Sequence, residues 1–366
     1  MNDDLTLIVG GRAMSGWTSI RVTRGIERCP SDFEIEMTEL YPDDVTAFVI
    51  QPGDSCQVKL GDDLVITGYV DRFAPAITGD SHSIHVIGRS KCADLVDCDA
   101  EWPGGQIMAS SALALAQKLA APYGKFTDGR PPSPITVSTD VTDIGVVIPQ
   151  FNLMLGEKAF DIIERICRFC GLLAYDLPDG NLFLTRAGKV EAASGFKEGI
   201  NVQSASLNYS SDQLYSEVMT FIQSVDTFME LGDDGNLIAT SNDPNVKRHR
   251  RKVVIAEHGD SDFSVAKRRA AWEVARRSGR SRQLTVVTDG WRDSAGALYA
   301  PNTLVQVDLP SLKLASVKWL ISEVTYLRDG QNGTTCSLTI MPPEAFQIEP
   351  ILLLPAYVDV QPAAGK

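Results

Sequence analysis

The sequence predicts a mainly β fold with α+β character, in which two β-barrel-like domains flank an α/β module. Segments that alternate apolar and polar residues fill the first 92 positions and return after position 200. Helical periodicity dominates only the interval between them, apart from one later helix. We therefore predict domains at residues 1–92, 93–199 and 200–345, followed by a C-terminal apolar tail at 346–366.

The first predicted domain is organised around residues 61–99, which contain a hairpin and the start of the next element. A period of two runs through residues 64–71 and again through 84–89, with turn-forming residues between them. This period is lost after Arg89, so the chain is expected to leave the sheet there. Upstream, the clusters CPSD, YPDD and QPGD mark turns between further short strands.

The α/β module is predicted to contain two helices and a hairpin. The first helix begins at Ser110 or Ser111, because either hydroxyl can cap the free amides of the first turn, and it ends at a proline–glycine stop. The second helix has an apolar stripe and ends at Gly171. The hairpin follows around Asp179–Gly180, since this pair suits a tight turn.

The third predicted domain contains β-strands and one helix. Four strands with clear alternation are expected after residue 282, and a hairpin is expected around Asp234–Gly235. The helix begins at Ser261 or Asp262. Its side chains expected to face the core are Val265, Ala271, Val274, Ala275 and Ser278. A strand formed by the residues just after Gly199 is a further candidate member of the N-terminal barrel.

Composition is that of a globular protein that folds without disulfides. Hydrophobic residues make up 44% and charged residues 22%, which argues against disordered or collagen-like chains. The N-terminus is acidic and its apolar stretch spans only the five residues from Leu5 to Val9, which predicts no signal peptide and therefore folding in the cytoplasm. Seven cysteines, an odd number, are typical of reduced thiols. The apolar tail is too short and proline-rich for membrane insertion, and is expected to dock on its own domain or on a partner.

No motif in the sequence predicts a catalytic, cofactor-binding or metal site. Cys167 and Cys170 have the spacing of a redox pair but lie in an apolar helical stripe, so buried packing is the preferred interpretation. Cys92 and Cys98 lack a further cysteine or histidine at zinc-finger spacing. Nucleophile elbows, phosphate-binding loops and dinucleotide fingerprints are absent from the sequence, and no pair of acidic residues stands out.

A basic tract from Lys247 to Arg282 contrasts with the acidic remainder of the chain. The tract has a net charge of +8. Because the whole chain has a net charge of −13, the residues outside the tract have a net charge of −21. Three interpretations stay open: a solvated helix face and strand, contact with an acidic surface of a neighbouring subunit, or nucleic-acid binding, for which only Trp272 offers stacking. The candidate subunit or partner contacts are Lys247, Arg248, Arg250, Arg251, Lys252, Lys267, Arg268, Arg269, Arg276 and Arg277.

Several short segments occur in an order and spacing that resemble those of a known family. They are Gly16–Ser19, Val22–Arg24, Ile26–Glu27, Phe33–Glu34, Gly68–Asp71, Gly88–Arg89, Asp94–Cys98, Ala121–Gly124, Asp289–Trp291, Pro301–Asn302 and Ser322–Thr325. With them the chain resembles the baseplate hub proteins of Mu-like contractile-tail phages, and it is also similar to the hub regions of type VI secretion spike proteins.

The resemblance implies a structural protein without catalytic residues or cofactors. Hub proteins of this family form a homotrimer in which two related barrels per subunit alternate, so that a ring of nearly sixfold character joins the tail tube to the central spike. The expected partners are the spike, tube and baseplate wedge proteins, in the tail baseplate of a virion or tailocin that is folded and assembled in the host cytoplasm. A peptidoglycan-degrading tail enzyme is the alternative, and a nucleic-acid-binding module is a third hypothesis.

Overall fold

The computed structural model describes residues 4–38, 50–79, 82–102, 105–127, 129, 131–142, 148–223, 236–256 and 263–347. The strands before residue 92 are β1 (Leu5–Val9), β2 (Arg12–Met14), β3 (Ser19–Gly25), β4 (Asp32–Thr38), β5 (Ser55–Leu60), β6 (Asp63–Ile77) and β7 (His82–Ser90). The elements between 93 and 199 are α1 (Ala93–Asp97), β8 (Gln106–Ser110), α2 (Ala112–Ala120), β9 (Val137–Thr139), β10 (Ile148–Asn152), α3 (Ala159–Cys170), β11 (Leu173–Asp176), β12 (Leu182–Thr185) and β13 (Phe196–Lys197). The later elements are β14 (Ser204–Tyr209), β15 (Glu217–Gln223), β16 (Asn236–Asn242), β17 (Arg251–Ala256), α4 (Phe263–Arg280), β18 (Arg282–Thr288), β19 (Leu304–Leu309), β20 (Leu314–Asp329) and β21 (Gly333–Met341).

A single large sheet joins strands from both ends of the chain. Its order is β14-β18-β21-β20-β3-β4-β7-β6-β5-β1-β2, and β19 pairs with both β20 and β13. The junction is an antiparallel pairing of β3 with β20, in which Val22 lies opposite Tyr326. One hydrophobic core lies under this sheet and includes Leu5, Val22, Phe33, Trp291, Tyr326 and Ile340.

The mainly β class is confirmed, but two separate barrels flanking a module are not. The strands of the described residues do not close into a barrel, and the strands of the first predicted domain share one sheet with β14 and β18–β21 of the third. Alternating polarity identifies a strand without identifying its hydrogen-bonding partner, which is why the sequence does not reveal the β3–β20 junction.

The strand that follows Gly199 also pairs differently from the prediction. β14 pairs antiparallel with β18, with Leu207 opposite Leu284, and so it extends the C-terminal side of the large sheet. It does not join the N-terminal strands. Among the described strands, the main path of the sheet therefore ends at β14 and β2, and the branch through β19 ends at β13.

The predicted hairpin at residues 61–99 is confirmed as β6 and β7, and α1 follows where the alternation stops. Two glycines allow the close approach of neighbouring backbone in this hairpin. A Cβ on Gly68 would lie 1.8 Å from the carbonyl oxygen of Arg89, and one on Gly88 would lie 2.4 Å from the ring of Phe33. These glycines are required by packing, since both sites leave no room for a methyl group.

The module between the two halves of the sheet has its own core, which α2 and α3 share with β8, β9, β10 and β12. The Ser111 hydroxyl accepts a hydrogen bond from the Ala114 amide at 3.2 Å, which confirms it as the N-cap of α2. Gly171 ends α3 with φ of 70°, and the hairpin β11–β12 turns at Asp179–Gly180, as predicted. Local chemistry therefore sets the ends of these elements.

A small three-stranded sheet of order β16-β15-β17 lies apart from the large one, with β15 parallel to β17 and antiparallel to β16. Helix α4 packs on one face of this sheet. The predicted core stripe of α4 is wrong at Ala271, which is exposed, whereas Ala270 and Glu273 are buried. The physical reason is that Glu273 is paired with Arg269 and Arg277, so a charged residue can occupy a buried position. The side chain of Val265 and the Asp234–Gly235 turn lie outside what the structure describes.

None of the described helices is at once long and apolar enough to cross a membrane.

Candidate assembly surface

Part of the basic tract gathers around one aromatic ring. Arg250, Lys252 and Arg277 lie 5.2, 5.4 and 5.3 Å from the centre of the Tyr215 ring. Arg250 also donates to the carbonyl oxygens of Ser211 and Asp212 at 3.0 and 2.7 Å. These cations bind within their own chain, where cation–π contact and backbone acceptors stabilise the segment that leads into β15.

A second group of arginines surrounds Trp272 on α4. Arg269 and Arg276 lie 4.8 and 5.4 Å from its ring, and the Trp272 indole donates to the carbonyl oxygen of Gln347 at 2.7 Å. Arg276 donates to the same oxygen at 3.0 Å and also pairs with Glu27. This cluster therefore holds the last described residue against α4.

The remaining candidate contacts differ in what surrounds them. Lys247, Arg248 and Lys267 are exposed, and Lys247 donates to the carbonyl oxygen of Pro244 at 2.9 Å. Arg251 forms an ion pair with Glu217 at 2.6 Å, and the side chain of Arg268 lies outside what the structure describes. The structure thus brings five of the ten predicted residues into two aromatic clusters and leaves Lys247, Arg248 and Lys267 facing solvent.

The small sheet carries apolar side chains on the face away from α4, which we call the open face: Met219, Phe221, Ile238, Val253 and Ile255. The strand register places Phe221 between Ile238 and Ile255, and Met219 next to Val253. Ile255 is 73% exposed, Val253 is 53% exposed and Ile238 is 43% exposed. Soluble monomers seldom expose contiguous apolar side chains of this kind, so the open face is a candidate contact surface.

The other side of the same sheet is covered. Val218, Thr220 and Ala239 are buried, and they alternate with the open-face residues along β15 and β16. The pairing of Glu217 with Arg251 forms the next row of the open face, so the apolar rows end at a charged row. The open face is therefore an apolar patch with a polar border, as in many interfaces.

Two exposed apolar side chains lie together in the module, and we call them the apolar turn: Met154 and Leu155. The Glu157 amide donates to the Met154 carbonyl at 3.2 Å, and Gly156 has φ of 83°, so these residues form a tight turn after β10. Leu155 is fully exposed at the tip of this turn, with Met154 beside it. Met108 is also exposed, but it lies on β8 opposite Gln150 and so outside the turn.

Two cysteines and one aspartate, Cys167, Cys170 and Asp176, are buried in the packed interior. Cys167 and Cys170 are buried in the module core, which confirms the packing interpretation, and burial raises the pKa of both thiols. Burial also raises the pKa of Asp176, while Arg24 and hydrogen bonds from Ser31 act in the opposite direction. In the described parts of the chain, no three His, Cys, Asp or Glu side chains are grouped so that they could hold a metal ion.

Sequence reasoning missed both exposed apolar groups. Along β17, apolar residues occupy successive positions 253–255 and so face both sides of the strand, which could have indicated an open face. The run NLML before Gly156 could similarly have indicated an exposed apolar turn. Tyr215 had no signal of its own, because its cationic neighbours come from distant positions in the sequence.

Models of three protein families match successive parts of the chain. The model described as Mu phage baseplate assembly protein GpP-like, N-terminal, matches residues 4–90. The second domain of baseplate hub protein gp44-like proteins matches residues 92–186, and the fourth domain of Mu phage baseplate assembly protein GpP matches residues 263–349.

Individual relatives match over nearly the whole chain. Baseplate hub protein gp44 of Escherichia phage Mu is 29% identical over 357 residues, which covers 95% of this chain and 90% of the relative. The 43 kDa tail protein of prophage MuSo2 from Shewanella oneidensis is 29% identical with a TM-score of 0.82, over 94% of this chain and 99% of its own. The tail protein from Neisseria meningitidis MC58 has a TM-score of 0.76 at 19% identity, over 95% and 99% of the two chains, which shows a shared fold.

Proposed function

The chain belongs to the baseplate hub proteins of Mu-like phages, and from this membership we propose that it forms a homotrimeric ring that joins the tail tube to the central spike. Its broader role is structural and not enzymatic, because the relatives that it matches are named as baseplate hub and tail proteins. It works by assembly with other tail and baseplate proteins, in the baseplate of the virion tail.

The observation that carries the proposal is the continuous large sheet. Six consecutive residue pairs join β3 to β20, from Gly25–Glu323 to Ile20–Arg328. The N-terminal and C-terminal β units are therefore hydrogen-bonded to each other within one sheet. A subunit that holds two β units in a fixed relation suits a ring in which three copies present six units, and such a ring can connect a threefold spike with a sixfold tube.

The ends of the large sheet support contacts between copies. Among the described strands, β2, β14 and β13 each have one neighbour in the sheet and so form edges, β13 at the end of the branch through β19. Edge strands offer unpaired backbone groups to another chain. Contacts that use different surfaces of the same subunit close into rings when the rotation allows it.

The basic residues enter this proposal as contacts with an acidic neighbour. Lys247, Arg248 and Lys267 are exposed, and the chain outside residues 247–282 has a net charge of −21, so a second copy or a partner offers a complementary surface. The partners in this scheme are the spike, tube and wedge proteins, and the chain folds and assembles in the host cytoplasm. The total charge of −13 disfavours specific nucleic-acid binding.

The experiment is the mass of the purified chain in solution, measured by size exclusion with light scattering over a dilution series. The trimer is expected at three times the chain mass of 39.8 kDa. A monomer at every concentration, with or without the spike protein, contradicts the ring. The alternative of a peptidoglycan-degrading tail enzyme predicts clearing on a peptidoglycan gel, and no feature of the described residues favours it.

A further inference from the structure

A cleft of about 240 Å³ lies where the module meets helix α4. Its lining includes six apolar side chains: Ile26, Phe160, Leu172, Leu173, Ala174 and Trp272. Two carboxylates and two guanidinium groups also line the cleft, and they pair as Glu27 with Arg276 and Glu164 with Arg168. Because these charges balance, the cleft suits an apolar occupant. Its volume is below the about 300 Å³ at which small-molecule pockets begin, so it suits side chains of a protein segment better than a free ligand.

The chain reaches the edge of this cleft at its last described residue. The carbonyl oxygen of Gln347 accepts hydrogen bonds from the Trp272 indole at 2.7 Å and from Arg276 at 3.0 Å, and both of these side chains line the cleft. Phe346, the residue before it, is buried in one cluster with Ile26, which also lines the cleft. The residues that follow Gln347 therefore begin at the edge of the cleft.

Residues 348–354, which we call the tail segment, lie outside the described residues and have an apolar sequence. The segment reads IEPILLL, with four consecutive large apolar residues between Pro350 and Pro355. Proline disfavours the helical conformation in the residue before it and cannot continue a helix, so this sequence favours an extended chain. Gln347 is itself extended, with φ of −62° and ψ of 135°. An extended segment can lie along a cleft and place alternate side chains in it.

One wall of the cleft can receive an extended chain. Leu173 and Ala174 of this wall belong to β11. Among the described strands, β11 has β12 as its one neighbour, so it is an edge of its three-stranded sheet. Edge strands offer unpaired backbone groups to a further extended segment. The cleft therefore combines an apolar lining with a strand edge, and both suit the tail segment.

We propose that the tail segment binds in the cleft of its own copy and so connects α4 with the module. A segment tethered at the edge of a site has a high effective concentration there, which favours the cleft of the same copy over that of another. Burial of the apolar side chains of the segment stabilises the contact. Of the two partners expected for the apolar tail, its own domain and another protein, these observations favour the first. The proposal concerns a single copy and does not depend on the ring.

The test places a photoreactive residue in the cleft of the full-length chain. The photoreactive p-benzoylphenylalanine replaces Phe160, which is half-buried in the lining, and so keeps an aromatic ring there. Irradiation is expected to cross-link position 160 to the tail segment of the same chain. A denaturing gel then shows the product at the mass of one chain, and peptide mass spectrometry identifies the linked residues. The control carries p-benzoylphenylalanine in place of the exposed Tyr209, from which no cross-link to the tail segment is expected.

Substitutions in the tail distinguish a specific contact from mere proximity. Leu352→Asp combined with Leu353→Asp places a carboxylate on each side of an extended segment, so one carboxylate faces the cleft in either orientation. This double variant is expected to lower the yield of the cross-link by about tenfold or more, because it removes the burial of an apolar side chain. Val358→Asp combined with Val360→Asp is the matched control, with the same change in charge beyond the segment, and it is expected to keep the wild-type yield.

The outcomes that overturn the proposal are separate from those that overturn the ring. A product at the mass of two chains places the tail segment of another copy in the cleft and overturns the proposal, as does a folded chain without the cross-link. Equal yields from the two double variants overturn it as well. Near-ultraviolet circular dichroism checks the fold, and if the chain altered at Phe160 is not folded, p-benzoylphenylalanine replaces Leu353, with cross-links to residues 160–174 expected. Light scattering tests the ring independently, so either proposal can fail alone.

Discussion

The large sheet and the small sheet differ in the side chains that their outward faces expose. On β18 of the large sheet, Leu284 and Val286 are in the core while Gln283 and Thr285 point outward, as expected for a sheet with one covered face. On β17 of the small sheet, Val253 and Ile255 are exposed although the opposite face already packs on α4. The large sheet thus buries its apolar side chains in the core, whereas the small sheet exposes some of them on its open face, which is the candidate contact surface.

The largest expected effect is in the core of the large sheet, at Trp291. Its ring is fully buried, and its indole donates to the carbonyl oxygens of Leu327 and Thr335 at 3.0 and 2.9 Å. Trp291→Ala is expected to lower the free energy of unfolding by about 3–5 kcal/mol, because it leaves a cavity and two unpaired acceptors. Chemical denaturation measures the loss. Trp291→Phe should lose less, and equal losses for the two variants would speak against the cavity as the main cause.

A smaller loss in the free energy of unfolding is expected at Gly68, where the backbones of β6 and β7 approach closely. Gly68→Ala forces a methyl group against the carbonyl of Arg89, so we expect a loss of about 1–3 kcal/mol in the free energy of unfolding. Gly290→Ala is the matched control, because a Cβ there meets nothing within 4 Å. Similar melting temperatures for the two variants would mean that the hairpin adapts easily, contrary to the tight packing described for β6 and β7.

The buried Asp176 joins the large sheet to the module and should make stability depend on pH. Because its pKa is raised in the folded chain, its contribution to stability is greatest below its unfolded pKa and is lost as pH rises through the folded pKa. Asp176→Asn removes this dependence and changes stability by about 1 kcal/mol, since an amide oxygen can still accept from the Ser31 amide. Unfolding curves between acidic and neutral pH, compared with those of the exposed Asp62→Asn control, measure the difference. Parallel curves for wild type and Asp176→Asn would contradict it.

The smallest effect is expected on the open face, where the same substitution can be made in both sheets. Val253→Thr should change the free energy of unfolding by less than about 0.5 kcal/mol, because the side chain is half exposed. Val286→Thr places a hydroxyl in the fully buried core of the large sheet and should cost about 1–3 kcal/mol. Thermal unfolding at the lowest usable protein concentration limits any contribution from assembly. A large loss at Val253 would indicate that the open face belongs to the core after all.

The candidate site could be predicted only in part. The charge asymmetry of residues 247–282 was visible because it depends on composition, but the positions of these side chains were not. Arg250 and Arg277 are 27 positions apart in sequence and meet at Tyr215, so the cluster exists only in the folded chain. The open face escaped prediction because alternation within one strand does not show which of its sides another element covers.

Most element boundaries follow from local chemistry, and the sequence was enough for them. Ser111 caps α2, Gly171 ends α3 and Asp179–Gly180 turns the hairpin of the module, because each depends on groups within a few residues. The union of the two ends of the chain through β3 and β20 depends on residues some 300 positions apart, such as Val22 and Tyr326. Many strands of the chain have the same alternation, so alternation does not identify which two strands pair. The packing of a shared core determines the pairing. The same holds for Glu273, whose burial depends on the arginines that the folded helix brings beside it.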